Sequence, residues 1–237
     1  MSDLLKEKGF VVAIDGPVAA GKGTIAKELA TLLNGVYIDS GAMYRAVTYY
    51  CMKHGIGHTD ISSIKQVLPN LDIQLEDSHV LLNGEDISSK IRTQEISTAV
   101  SKFAVHQIVQ EDSISRRRKL ADRLIGKGTV VVSEGRNEGT AAFPNAAVKI
   151  YLTASVETRA RRRLQQLLTA GNTDVTFDKV LQDTKLRDTR DMNRTSAPLV
   201  KNPELHGYSI IDDSSLNERQ TLEKIVFEIK KKGLCND

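Results

Sequence analysis

The sequence predicts an α/β fold of three layers, in which a central parallel sheet lies between two layers of helices. Short apolar runs of strand length alternate along the chain with longer segments of helical periodicity. A glycine-rich loop joins the first apolar run to the first helical segment, which is the setting of a phosphate-binding loop (P-loop). The 237 residues suffice for one core with a small inserted subdomain, so we expect residues 1–237 to form a single domain.

The composition indicates a soluble globular protein, since 40% of the residues are hydrophobic and 27% are charged. The net charge of +3 is too small to indicate a nucleic-acid partner. Cys51 and Cys235 lack the spacing of a zinc site and are expected to be reduced thiols. No apolar run reaches membrane-spanning length, and the first ten residues lack the apolar stretch of a signal peptide. We therefore expect a cytoplasmic protein that binds neither nucleic acid nor a membrane.

The glycine-rich loop follows a predicted strand at residues 10–14 and precedes a predicted helix. Backbone N–H groups of such a loop point at an anion, and the helix dipole adds positive potential there. Lys22 supplies a full charge that reaches the terminal phosphates of a nucleotide, and Gly23 then separates it from Thr24, an ending common among small nucleotide kinases. An ordinary glycine-rich turn is the structural alternative. The predicted ATP-binding residues are Gly16, Pro17, Val18, Ala19, Ala20, Gly21, Lys22, Gly23 and Thr24.

A second strand at residues 36–38 ends at Asp39, and Ser40 is predicted to cap a helix over residues 41–54. Ligands of open α/β sheets bind at the carboxyl ends of the strands. Tyr44 and Arg45, in the first turns of this helix, are therefore expected to face a nucleotide.

A small antiparallel insert is predicted to interrupt the alternating pattern. Residues 60–70 form a short connecting helix, and residues 71–75 and 80–82 form strands on either side of a polar turn at residues 76–78. An Asn-Gly turn at residues 83–84 follows. We expect the insert to be a substrate-binding appendage.

Two helices are predicted over residues 93–126, meeting near residues 104–111, with the basic cluster at residues 116–119 mostly solvated. A buried strand at residues 129–133 then delivers Glu134 to the ligand-binding edge of the sheet. A carboxylate in this place can hold Mg²⁺ through water. A helix-capping or surface acid is the alternative.

The last third of the chain adds strands at residues 147–152 and 208–212, a helix that Ser155 caps, and a helix over residues 176–193. A final amphipathic helix closes the chain, and there are no internal repeats. No interface helix is evident, so a monomer is expected.

An arginine-rich stripe lies beside the apolar face of the helix over residues 176–193. Arg187, Asp191 and Arg194 form this stripe, at helical spacing. Arginines gathered at a core edge repel one another unless an anion joins them. We therefore expect an anion site that also includes Arg190, Arg159 and Arg163. The alternative is a set of ion pairs with Asp183, Asp188 and Asp191.

Several stretches in order, from about residue 10 to 213, resemble the bacterial cytidylate kinase family of nucleoside monophosphate (NMP) kinases. They are residues 14–17, 21–24, 39–45, 84–87, 91–95, 134–136, 143–144, 148–152 and 187–194. The resemblance implies a P-loop kinase with an NMP-binding insert at about residues 60–95 and a helical lid at about residues 155–195. It also implies transfer of the γ-phosphoryl group of ATP to CMP or dCMP.

Site roles follow from the resemblance residue by residue. Arg45 and Arg136 hold the acceptor phosphate, Asp191 fixes the ribose and Arg187 holds the phosphates. Arg190 and Arg194 act from the lid, to which Arg159 and Arg163 also belong. The predicted acceptor-site residues are Asp39, Ser40, Tyr44, Arg45, Ser101, Gln110, Arg136, Asn137, Arg187 and Asp191. The predicted catalytic cations are Lys22, Arg136, Arg187 and Arg194. Mg²⁺ is expected on the ATP phosphates, with Thr24 and Glu134 contacting it through water.

Two positions depart from the family pattern. Asn137 stands where the family has an aspartate after Gly-Arg, and Gln110 stands where it has an arginine; in the family these two residues recognise the cytosine edge. An amide pair still offers donors and acceptors, so neutral hydrogen bonds can read cytosine, with looser discrimination. A UMP kinase and a non-catalytic nucleotide- or RNA-binding regulator stay open as alternatives. A GTPase is disfavoured because the Asn-Lys-x-Asp motif is absent from the sequence.

Overall fold

The computed structural model describes residues 9–76 and 79–235. The first eight residues, on which the signal-peptide expectation depends, lie outside the described range, as do residues 77 and 78 of the turn predicted at residues 76–78. The strands are β1 Val11–Asp15, β2 Val36–Asp39, β3 Ile73–Glu76, β4 His79–Leu82, β5 Glu85–Asp86, β6 Val131–Gly135, β7 Val148–Thr153 and β8 Ser209–Asp212. The α-helices are α1 Lys22–Leu32, α2 Ser40–Lys53, α3 Ile61–Val67, α4 Gln94–Phe103, α5 Gln107–Ile125, α6 Val156–Thr169, α7 Phe177–Asn193 and α8 Glu218–Lys231.

The central sheet has five parallel strands in the order β2-β6-β1-β7-β8. On one face, side chains such as Val12, Ile14 and Ile150 pack against α1 and α8. On the other face, Val11 and Val131 pack with residues of α5. Apolar residues on both faces of each strand are what a parallel sheet needs when helices cover both sides. The predicted three-layer α/β fold is thereby confirmed.

The predicted antiparallel insert is present as the sheet β3-β4-β5. It packs with α2, α3 and α4 around a hydrophobic cluster of its own, which includes Ile64, Val80 and Phe103. The helix predicted over residues 60–70 is α3 followed by a 3₁₀ turn at Leu68–Asn70. The cluster therefore forms one wall of the region beyond the carboxyl end of the central sheet.

Two predicted features of local structure are wrong. Asp39 and not Ser40 caps α2, because the Asp39 carboxylate accepts a 2.9 Å hydrogen bond from the Ala42 N–H. Ser40 is already helical, and its hydroxyl donates to the Glu134 carbonyl at 2.6 Å. Asp and Ser are both strong capping residues, so their order along the chain did not decide between them. Ser155 does cap α6, as predicted, by accepting from the Thr158 N–H.

The second error lies within the basic cluster at residues 116–119, where Arg118 and Lys119 are exposed as predicted but Arg117 is not solvated. Arg117 is completely buried. Arg116 donates to the carbonyls of Leu68 and Leu71 in the insert. Arg118, although exposed, donates to the carbonyls of Ala141 and Ala142 in the turn after β6. Helix α5 therefore has neighbours on several sides, which the spacing of its charges did not indicate.

No helix in residues 9–76 and 79–235 combines the length and the apolar character needed to cross a bilayer.

The sheet interior gives the first testable prediction. Ile150 in β7 is completely buried, whereas Ile210 in the neighbouring β8 is 51% exposed. We expect Ile150→Ala to lower the free energy of unfolding by about 2–5 kcal/mol, because it leaves a cavity in the packed core. Ile210→Ala is the matched control and is expected to cost less than about 1 kcal/mol. Urea denaturation measures both values, and equal losses would contradict the burial assigned to these two strands.

Candidate active site

The loop between β1 and α1 is held close to the sheet. A Cβ atom at Gly16 would lie 1.9 Å from the carbonyl oxygen of Leu152 in β7, so only glycine allows this approach. The Lys22 ammonium donates to the Pro17 carbonyl at 2.8 Å, so the loop bends back over the Lys22 side chain. The Val18 N–H donates to Asp188 of α7 at 3.3 Å, and the Arg159 guanidinium donates to the Val18 carbonyl at 3.0 Å.

A cavity of about 620 Å³ opens at the carboxyl edge of the central sheet, beside this loop. It brings together predicted residues from the loop, α2, α4, the end of β6, α6 and α7. Those that line it are Val18, Ala19, Ala20, Gly21, Lys22, Gly23, Thr24, Asp39, Ser40, Tyr44, Arg45, Ser101, Glu134, Arg136, Asn137, Arg163, Arg187, Asp191 and Arg194. Gly16, Pro17, Gln110, Arg159 and Arg190 do not line it.

The cations of this cavity are crowded together. Burial, and after it the nearby Arg136 cation, lowers the pKa of Lys22 from 10.5 to about 7. The same two causes lower the pKa of Arg187 from its ordinary value to about 10. Burial also lowers the pKa values of Arg45, Arg163 and Arg194. Such shifts mean that the protein supplies too little negative charge and solvent for these groups, so a bound anion would be stabilised here.

Ion pairs account for part of the arginine cluster. Arg136 pairs with Asp191 at 2.7 Å, and Arg159 pairs with Asp188 at 2.7 Å. Burial would raise the pKa of Asp191, but the Arg136 and Arg194 cations hold it below its usual value. Arg187 has no ion-pair or hydrogen-bonding partner among the residues that the structure describes. The stripe is thus partly neutralised, with Arg187 left facing the cavity.

The structure separates Arg159, Arg163 and Arg190, which were predicted to join one anion site. Arg163 lines the cavity. Arg159 is buried between the loop and Asp188, where it serves to hold the loop. Arg190 is exposed on α7, outside the cavity. The sequence placed Arg159 and Arg163 on one helix and Arg190 on the next, and for Arg159 the ion-pair alternative, which included Asp188, is the one that the structure shows.

The two amides that replace the expected charged residues do touch. The Asn137 amide group donates to the Gln110 carbonyl oxygen at 3.4 Å and to the Ala197 carbonyl at 2.9 Å. Gln110 is completely buried, and it also accepts from the Tyr44 hydroxyl at 2.5 Å and donates to the Ala104 carbonyl at 2.6 Å. Gln110 is therefore bonded to other residues and does not line the cavity, so its prediction as a residue that contacts the base is wrong. Asn137 alone of the pair lines the cavity.

Glu134 lies at the end of β6 as predicted. Its carboxylate accepts from the Tyr37 hydroxyl at 3.3 Å, and burial raises its pKa against the opposing effect of Lys22. Within the described residues, no group of three His, Cys, Asp or Glu side chains could hold a metal ion. The donor set fits Mg²⁺ only as an ion held mainly by nucleotide phosphates, with Glu134 and Thr24 beside it.

Sequence reasoning missed several residues of this region. Tyr37 and Arg92 line the cavity, and Arg92 lies 3.6 Å from the Asp39 carboxylate. Arg92 belongs to a stretch that carries the family resemblance, which was an available signal. Behind the cavity, Arg117 and Glu138 form a fully buried ion pair at 3.3 Å. No spacing rule connects these two residues in the sequence.

The buried lysine predicts a pH-dependent stability. Lys22 titrates near pH 10.5 when unfolded and near pH 7 when folded, so between these values the unfolded chain binds more protons. The penalty is therefore full below about pH 7 and disappears as the pH rises towards 10.5. We expect Lys22→Met to be more stable than the wild type at pH 7 by more than about 1 kcal/mol, with the gain shrinking up to about pH 10.

Urea denaturation across this pH range measures the effect. Lys119→Met is the matched control, because Lys119 is exposed. A stability difference between wild type and Lys22→Met that stays constant with pH would contradict the shifted pKa.

Comparisons with known proteins agree with the geometry. The family model for cytidylate kinase matches residues 12–231. A cytidylate kinase of Caldanaerobacter subterraneus subsp. tengcongensis is 42% identical over 220 residues, covering 93% of this chain and 94% of that protein. A cytidylate kinase of Bacillus subtilis is 39% identical over 231 residues, covering 96% and 99%.

Among solved structures, an uncharacterized protein from Eubacterium ventriosum matches with a TM-score of 0.53 and 14% identity, over 94% of this chain and 99% of that one. This likeness supports the fold alone. The family model and the two full-length relatives show that the chain belongs to the cytidylate kinase family of phosphotransferases.

Proposed function

We propose that this chain transfers the γ-phosphoryl group of ATP to CMP or dCMP, giving ADP and CDP or dCDP. The observation that carries the proposal is the crowding of cations around one cavity. Lys22, Arg45 and Arg187 all have lowered pKa values there, with burial as the main cause. Two phosphate-bearing ligands would supply the missing negative charge. The names of the two bacterial relatives supply the acceptor class.

The donor ATP is assigned to the loop and the first turn of α1. Lys22 lies at the start of the helix, where unpaired backbone N–H groups and the helix dipole favour phosphate. Gly21 has a left-handed backbone with a φ of 76°, which turns the chain into the helix at this point. The Lys22 ammonium, now on the Pro17 carbonyl, would transfer its donors to the β- and γ-phosphates.

The acceptor phosphate is assigned to arginines that line the same cavity. Arg45 already donates to the Ile91 carbonyl and to the Ser97 hydroxyl, which fixes its position while other donors stay available. Arg136 and Arg187 would complete the clamp. Asp191, held by Arg136, would accept from the ribose, and Ser101 would line the acceptor pocket.

Asn137 is proposed to read the base. Its amide nitrogen is directed at two carbonyl oxygens, those of Ala197 and Gln110, so the orientation of the amide is fixed by its partners. The remaining Oδ1 atom is an acceptor on a cavity-lining residue. Cytosine has an amino donor at position 4, whereas uracil has a carbonyl acceptor there. The arrangement therefore favours cytosine over uracil.

The chemistry would depend on positioning and charge, as phosphoryl transfer generally does. Lys22, Arg136, Arg187 and Arg194 would stabilise charge on the transferred group. Because the acceptor is itself a phosphate oxygen, no strong general base is required. When bound, Mg²⁺ would neutralise charge on the ATP phosphates, and Glu134 and Thr24 would hold it through water.

The insert at about residues 60–95 is proposed to bind the acceptor, and residues 155–195 are proposed to act as a lid. Closure of α6 and α7 would exclude water and bring Arg163, and with further movement Arg190, towards the phosphates. We further propose a cytoplasmic monomer whose partners are nucleotides and not nucleic acid. The buried free thiols of Cys51 and Cys235 are compatible with a reducing compartment.

A coupled assay of ADP release with CMP, dCMP, UMP and AMP tests the activity. We expect turnover with CMP and dCMP, weaker turnover with UMP, and a loss of about 100-fold or more in Lys22→Ala, because the variant lacks the cation on the donor phosphates. Absence of ADP release with every acceptor would favour a non-catalytic nucleotide- or RNA-binding regulator. Equal rates with CMP and UMP would contradict the cytosine assignment.

Base recognition is tested separately with Asn137→Ala. We expect kcat/KM for CMP to fall about 10- to 100-fold, since the amino group of the base loses its acceptor, while KM for ATP stays unchanged. UMP should lose less, so the preference for CMP over UMP should fall. Asn193→Ala is the control, because Asn193 is exposed at the end of α7. An unchanged CMP/UMP ratio in Asn137→Ala would remove Asn137 from base selection.

A further inference from the structure

The ion pair between Arg117 and Glu138 lies behind the active site, and the proposed chemistry does not use it. Both side chains are completely buried, and Arg117 Nε lies 3.3 Å from Glu138 Oε2. The Ser113 hydroxyl accepts from Arg117 at 2.6 Å, and the Ser133 hydroxyl donates to Glu138 at 2.6 Å. Among the described residues, Arg117 Nε, Arg117 Nη2 and Glu138 Oε1 have no partner with hydrogen-bond geometry, so the Nε–Oε2 contact is an ion pair only. The protein therefore compensates the burial of these charges only in part.

The pair forms the second of two links between the same two segments. Gln110 and Arg117 are seven residues apart on α5, which is two helical turns, so they lie on one face of the helix. Asn137 and Glu138 are consecutive residues after β6. Gln110 meets Asn137 at 3.4 Å, and Arg117 meets Glu138 at 3.3 Å. The first link borders the cavity and the second lies behind it.

Each partner of the ion pair also contacts a wall of the acceptor site. The Arg117 guanidinium lies 5.6 Å from the centre of the Tyr44 ring, within the range of a cation–π contact, and Tyr44 donates to Gln110. On the other side, a Cβ atom at Gly135 would lie 2.5 Å from Glu138 Oε1. Glu138 thus packs against the backbone that leads into Arg136.

A backbone hydrogen bond links the pair to the start of the P-loop. The Glu138 N–H donates to Asp15, the last residue of β1, at 2.8 Å. The pair therefore contacts Tyr44, the segment that carries Asn137, and the end of the central strand. A change in its geometry would shift the walls of the acceptor site relative to one another.

We infer that the Arg117–Glu138 pair is a positioning element for base selection, which holds Tyr44 and the Asn137 oxygen at a fixed separation around the acceptor base. This inference rests on the proposed function, because it concerns the same acceptor site. A pair that served stability alone could be exchanged for apolar residues of similar volume without loss. A positioning pair differs, because apolar contacts are not directional and do not fix the angle between α5 and the segment after β6.

The test compares wild type with Arg117→Met/Glu138→Met, since methionine adapts to irregular core space. Binding of CMP and of UMP is measured by calorimetry without ATP, alongside steady-state kinetics and urea denaturation. We expect a urea midpoint equal to or above that of the wild type, weaker CMP binding, and a CMP/UMP preference lowered by about fivefold or more. KM for ATP is expected to stay within about twofold of the wild-type value, because the bond to Asp15 at the start of the loop comes from the backbone N–H of residue 138, which the double variant keeps.

Arg118→Met is the matched control. Arg118 also links α5 to the segment after β6, through the carbonyls of Ala141 and Ala142, but none of these hydrogen bonds involves Tyr44 or Asn137. Its CMP/UMP preference should equal that of the wild type. A loss as large as that of the double variant would overturn the inference, because any link between the two segments would then have the same effect.

A folded double variant that keeps the wild-type CMP affinity and preference would also overturn the inference. If the double variant does not fold, the conservative variants Glu138→Gln and Arg117→Lys decide. Each keeps the volume of the side chain but weakens the ion pair, and each should lower the CMP/UMP preference by about twofold or more. Unchanged preference in both would reject the positioning role. Failure of the proposed function is recognised separately, since the wild type would then neither bind nor phosphorylate CMP.

Discussion

The buried carboxylate of Asp15 is the interaction on which the arrangement of the active site depends. It lies at the end of the central strand β1 and is completely buried. It accepts from the N–H groups of Glu138 and Gly139 at 2.8 Å each and from the Tyr208 hydroxyl at 2.6 Å. A buried polar group is costly unless it is hydrogen-bonded, and here both carboxylate oxygens have donors. Asp15 therefore fixes three segments together where the P-loop begins.

Because of these hydrogen bonds, the loop assigned to ATP and the turn that carries Asn137 are both held by Asp15. The residue after Asp15 begins the loop assigned to ATP, and the turn that its carboxylate holds carries Asn137 and Glu138. The proposed donor and acceptor sites are thus both held at the end of β1. Phosphoryl transfer requires the two reacting groups at a fixed distance and alignment, so a common support is what the reaction needs.

The positive charges that line the cavity lower the stability of the unliganded protein. Lys22 and Arg187 are held in surroundings that disfavour their charged forms, as the lowered pKa values show. Groups of this kind lower the stability of the unliganded protein and are stabilised again when anions bind. The ion pairs Arg136–Asp191 and Arg159–Asp188 limit the cost by neutralising the arginines that position other groups. Arg187 has no such partner in the described part of the chain, so its charge stays available for a ligand.

Local patterns allowed much of the fold to be predicted. The loop, the parallel strands and the antiparallel insert follow from periodicity, glycine placement and turn signals, which depend on neighbours in the sequence. The burial of Arg117 and the capture of Arg159 by Asp188 depend instead on which elements pack together. The Gln110 amide was expected at the base, but tertiary contacts with Tyr44 and Ala104 place it one layer behind. Sequence patterns contain no information on contacts of this kind.

This chain differs from the family pattern in where its charged side chains lie relative to the proposed site of the acceptor base. The family pattern puts an arginine and an aspartate at the base, whereas here neutral Gln110 and Asn137 occupy those positions. The buried charge pair of this chain, Arg117–Glu138, lies behind the amides. A neutral amide selects an amino group over a carbonyl only if it cannot rotate, since a flipped amide would present its donor and accept uracil instead. If Asn137 reads the base as proposed, selectivity would depend on the groups that hold its amide, namely Ala197 and Gln110, and on the buried pair inferred to keep α5 in place against them.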